Sequence, residues 1–73
     1  MTRTLTATIW REDGGYVALC SELVIASQGD SVEEARSNLK EAVELFFETA
    51  HANEIAERLN SEIYITPLEV TVG

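Results

Sequence analysis

From Thr4 to Glu12 the chain alternates, with Leu5, Ala7 and Ile9 on one side and Thr4, Thr6 and Thr8 on the other. That two-residue period predicts a half-buried strand, and β-branched threonines suit its open face. The run "DGG", Asp13 to Gly15, follows. Glycine accepts the positive φ that tight hairpins require, so "YVALC", Tyr16 to Cys20, is expected to return antiparallel to the first strand. "LVIAS", Leu23 to Ser27, reads as a short third strand.

The pattern then changes period. "GDSVEEA", Gly29 to Ala35, opens a helix through an S-x-x-E capping box. Ser31 accepts a first-turn N–H, Glu34 reaches back toward the N–H of Ser31, and Gly29 permits the turn out of the strand. Ala35, Leu39, Ala42, Val43, Phe46, Phe47 and Ala50 follow at spacings that share one helical face. Continuing that stripe lands on Asn53, Glu54 and Glu57, so its phase breaks after Ala50. A second short helix with Ile55, Ala56 and Leu59 inward and Asn53 as its cap is the simplest repair, a kinked extension being the alternative. Alternation resumes in "IYITPLEVTV", where Leu68, Val70 and Val72 oppose Glu69 and Thr71. Pro67 marks the start or the edge of a last strand. The order β-β-β-α-(α)-β predicts a two-layer α+β fold, an antiparallel-rich sheet packed on one long helix.

Seventy-three residues make a single domain, 1–73. A domain this small buries only about 60% of its unfolded surface and often needs further support. One cysteine, Cys20, rules out an internal disulfide, and with a single histidine it makes a structural zinc site an unsuitable answer. Homo-oligomerisation is the support that remains. Thirteen acidic residues against five basic ones give a net charge of −8. Such a chain is repelled by nucleic-acid phosphates and by anionic membranes, and it attracts basic proteins. No run approaches the length of a membrane-spanning helix, and "MTRTLTATIW" lacks the apolar core of a signal peptide, so a cytoplasmic location is expected.

The chemistry-bearing residues do not assemble into a catalytic set. Asp30, Glu33 and Glu34 already satisfy the positive end of the helix dipole, leaving structural capping as the role of Gly29, Ser31 and Glu34. "GDSVE" is not a nucleophile elbow, Cys20 lies within a strand, and His51 stands alone beyond the long helix. A metal-dependent nuclease needs acids converging from several elements, whereas these are scattered over a turn, a cap and a helix face. No enzyme, cofactor or metal is expected. Trp10 is less bland, because it falls on the threonine face of the first strand. Strand two also carries apolar residues on both faces, with Tyr16 a candidate cross-strand or diagonal neighbour of Trp10. Either Trp10 folds over its own hairpin or this second face meets another chain. Trp10, Glu12, Asp13, Tyr16 and Glu22 are the candidate partner-binding residues.

Gly15 to Glu48, "GYVALCSELVIASQGDSVEEARSNLKEAVELFFE", resembles the HicB-like family of small bacterial proteins. The matching features are Tyr16-Val17-Ala18, Cys20, Glu22-Leu23, Ser27 to Ser31, Glu33 to Ala35, Asn38 to Ala42 and Phe46-Phe47. The resemblance implies a partial RNase H-like fold without nuclease activity. It also implies an antitoxin role, in which the protein neutralises a small, basic, mRNA-cleaving HicA-like toxin by direct contact. An orphan oligomeric adaptor of the same fold, without a toxin, is the alternative. Two departures stand out. The chain ends at Gly73, before the DNA-binding domain usual in HicB antitoxins, so autoregulation is not carried over. In addition, Val24-Ile25-Ala26 replaces the Pro-Gly-Cys found in many members, which points to a different turn.

Overall fold

Asp13 and Gly14 both adopt positive φ, 47° and 80°, and close the first hairpin in two residues. Paired positive φ matches the right-handed twist of the flanking strands. In the computed structural model, which describes residues 2–60 and 62–73, β1 (Ala7–Glu12) therefore pairs antiparallel with β2 (Gly15–Cys20), Glu12 facing Gly15 and Ala7 facing Cys20. β3 (Ile25–Gly29) pairs antiparallel with β2, giving the sheet order β1-β2-β3. Two helices follow, α1 (Val32–Thr49) and α2 (Ala52–Leu59). The α+β class expected from the periodicity is the one observed.

The sheet sits against α1, and the buried core is small: Ala18 and Cys20 from β2, Leu23 from the β2–β3 turn, and Ala35 and Leu39 from α1. Leu5, Ile9, Tyr16, Ile25, Val43, Phe46, Phe47 and Leu59 pack around it. Phe46 and Phe47 meet edge to face, with ring centroids 5.7 Å apart.

Several boundaries differ from the sequence expectation. β1 begins at Ala7 rather than Thr4, because the Thr6 N–H is taken by the Glu22 carboxylate at 3.0 and 3.1 Å. β3 begins at Ile25 rather than Leu23. Leu23 turns inward as a core residue, and Val24 takes φ 54°, which ends any extended run through it. The break after Ala50 is a true helix end: Ala50 is extended, and α2 starts as a separate helix. Asn53 is not its cap. It lies inside the first turn, and His51 holds the cap position without a side-chain hydrogen bond. The last strand does not form within the chain. Residues 62–73 are exposed throughout and join no strand of the sheet, so their alternating side chains have no layer to cover.

Gly29 also has a different role from the one expected. Its φ is not positive; the constraint is space. A Cβ there would lie 2.6 Å from the Ala35 nitrogen and 2.9 Å from Glu34 carbon atoms. Glycine is what lets the end of β3 touch the first turn of α1. Replacing Gly29 with Ala is expected to cost about 2–3 kcal/mol through forced separation of strand and helix, read by denaturant unfolding. Val24 gives the opposite case, since a β-branched residue at positive φ is strained. Val24→Asn is expected to raise stability by about 1 kcal/mol, or roughly 4–8 °C in Tm.

Candidate interaction surface

The pairing of Glu12 with Gly15 and of Tyr16 with Gly29 brings the β1–β2 turn alongside the β3–α1 junction. Residues distant in sequence therefore line one open cleft of about 500 Å³, among them Glu12, Asp13, Tyr16, Asp30 and Glu34. Glu34 is committed to structure. Its backbone N–H donates to Ser31 Oγ at 3.0 Å, and its carboxylate accepts the N–H of Asp30 at 3.0 Å. The capping box thus forms, but the returning carboxylate reaches Asp30 rather than Ser31. The carboxylates of Glu12, Asp13 and Asp30 make no hydrogen bond or ion pair among the described residues. The cleft has no cation to offer a phosphate. It presents clustered negative charge around a half-buried tyrosine. Among the described residues, no three His, Cys, Asp or Glu side chains converge in a way that would hold a metal ion.

Of the five candidate partner-binding residues, Glu12, Asp13 and Tyr16 come together here, and two do not. Trp10 lies on the open face of the sheet opposite Val17, whereas Tyr16 faces the helix opposite Arg11. Tyr16 is therefore neither the cross-strand nor the diagonal neighbour of Trp10, because the two-residue turn sets the register one step away. Trp10 is 41% exposed and shares its face with half-buried Val17 and Leu19. Glu22 lies at the other end of the sheet. Partial desolvation opposes its ionisation, but the Thr6 N–H and the Cys20 thiol, 3.7 Å away, favour the anion and hold it below the usual glutamate value. Burial pushes the Cys20 thiol up and the adjacent Glu22 charge adds to this, so Cys20 behaves as a small core hydrophobe.

Sequence reading missed Arg58. Its guanidinium donates to the Leu23 carbonyl, pairs with Glu54 at 3.4 Å and lies 5.1 Å above the Phe46 ring centre. This one side chain ties α2 to α1 and to the β2–β3 turn. Only Glu54 at i−4 was available as a signal, since the other partners depend on tertiary docking. Asp30 was legible as a helix-start acid, but its convergence with Glu12 and Asp13 required the sheet register.

A UPF0150 protein of Helicobacter pylori is 37% identical over 67 residues, covering 90% of this chain and 93% of its own length. Two UPF0150 proteins of Synechocystis are 48% identical over 50 residues (66% of this chain, 69% of theirs) and 41% identical over 64 residues (82% and 76%). No family model matches the chain, and no solved structure matches it.

The Glu22 contacts have a pH consequence. A carboxyl held below its unfolded value of about 4.3 contributes stability that is complete above that value and is lost as pH falls through the lower folded value. Glu22→Gln is expected to lower stability at pH 7 by about 1 kcal/mol, the value for one partly exposed charge-assisted hydrogen bond. The gap between variant and wild type should narrow as pH falls below about 4.3 and close as pH falls through the lower folded value. Thermal unfolding between pH 7 and pH 3 reads this directly, and a gap constant with pH would exclude the linkage.

Proposed function

This chain belongs to the UPF0150 family, and we propose that it is a HicB-like antitoxin-type protein that neutralises a small basic HicA-like mRNA-cleaving toxin by protein–protein contact. The acidic cleft carries the reading: Glu12, Asp13 and Asp30 are grouped at one end of the sheet, and no described residue pairs with their carboxylates. A protein surface shaped to bind RNA phosphates offers lysines and arginines, and clustered carboxylates are the complement of that surface. The net charge of −8 adds long-range steering toward such a partner. In this reading the protein acts in the cytoplasm as a homo-oligomer, by occlusion and without chemistry of its own. Among the described residues no helix is long and apolar enough to cross a membrane.

The orphan-adaptor reading draws on a different observation, the exposed Trp10 face, which suits self-association whether or not a toxin exists.

A pull-down from native cell extract, followed by an RNA-cleavage assay on whatever is bound, separates the two. The antitoxin reading expects a small basic ribonuclease that the bait inhibits and that salt elutes. Glu12→Lys with Asp13→Asn, which keeps a residue that tolerates the positive φ of the turn, should weaken that complex by about 100-fold, a loss of roughly 3 kcal/mol, while leaving Tm nearly unchanged. Recovery of the bait alone, or of a partner without inhibited cleavage, would favour the adaptor.

A further inference from the structure

The tail, residues 62–73, is written as a strand yet covers nothing. Leu68, Val70 and Val72 alternate with Glu69 and Thr71 and are 84%, 70% and 88% exposed. The molecule is correspondingly extended. Its accessible surface is 6011 Å², where a folded monomer of this mass exposes about 4500 Å². Its radius of gyration is 14.3 Å, against about 11 Å for a compact chain of this length. The excess, roughly 1500 Å² per chain, is about twice the ~800 Å² that each partner buries in a standard-size interface and lies in the range of obligate dimers.

The sheet offers a matching vacancy. In a two-residue hairpin closed by Glu12 and Gly15, alternate residues of β1 turn their backbone groups toward β2. The N–H and C=O groups of Ala7, Ile9 and Arg11 therefore point outward, and among the described residues no protein group bonds them. The opposite edge is obstructed. There Asn38 Nδ2 donates to the outward Gln28 carbonyl at 2.8 Å, and α1 lies against the end of β3. β1 is the edge that remains open. It matches the tail in length, five residues from Ala7 to Arg11 facing five from Leu68 to Val72, each about 17 Å at the rise of a strand. The two also match in charge. Residues 1–11 hold Arg3 and Arg11 and no acid, while residues 62–73 hold Glu62 and Glu69 and no base.

We propose that the C-terminal segment is an exchanged strand, residues 68–72 adding to the β1 edge of a second copy of this chain while that copy's tail returns the contact. Reciprocal exchange makes a closed two-fold dimer and removes an exposed edge and an exposed apolar strand together. The proposal deepens the oligomeric part of the function above and is independent of the toxin, since the dimer is tested with this chain alone.

The test mixes isotope-labelled and unlabelled wild-type protein, with light scattering for mass and isotope-filtered NOE spectroscopy for contacts. The expected result is a dimer whose intermolecular NOEs join residues 68–72 to residues 7–11. Val70→Pro, which removes an N–H and fixes φ, should weaken the dimer at least about tenfold while the helical circular dichroism persists. A monomer, a dimer without those NOEs, or tail-to-β1 NOEs arising only within one chain would overturn the exchange. If Val70→Pro fails to fold, the wild-type NOEs still decide it.

Discussion

The end of β3 and the first turn of α1 touch through Gly29, where no side chain fits between the strand and the backbone of Glu34 and Ala35. Much of the architecture depends on that contact. It lies at the start of α1, which Ser31 and Glu34 cap. Ala35 and Leu39 then fall over Ala18 and Cys20. The same contact puts the helix start beside the hairpin tip, so that structural acids and turn acids line one cleft.

The core so assembled is thin. Ala18, Ala35 and Cys20 are small, and among the five buried residues only Leu23 and Leu39 are large. Small residues allow close approach but bury little apolar area, and area drives folding. Arg58 compensates in part by joining the Leu23 carbonyl, Glu54 and the Phe46 ring at the seam where α2 docks. The remaining apolar material, the Trp10 face and the tail, lies outside this core. In the proposed exchange a second copy of the chain would cover the tail without any new element.

Charge is divided unevenly over the molecule. Residues 1–11 are locally basic and the tail acidic, which favours their meeting in an otherwise repulsive protein. Glu12, Asp13 and Asp30 gather instead at the hairpin tip and helix start. The proposed self-association along a sheet edge and the proposed capture of a basic partner at the sheet's end would therefore make different demands on different residues.

What the sequence determined by itself was local. The alternation of the first strand, a hairpin turn within Asp13 to Gly15, the S-x-x-E cap and the phase break after Ala50 each depend on neighbours within a few residues, and each appears in the structure. Tertiary structure decided everything that depends on which surfaces meet. The hairpin register separated Tyr16 from Trp10, the inward turn of Leu23 shortened β3, and docking gave Arg58 its partners. The register also gathered Glu12, Asp13 and Asp30 into one cleft. The tail shows the limit most clearly: its pattern specifies a strand, but a strand needs an edge to pair with, and alternation carries no information about which chain supplies it.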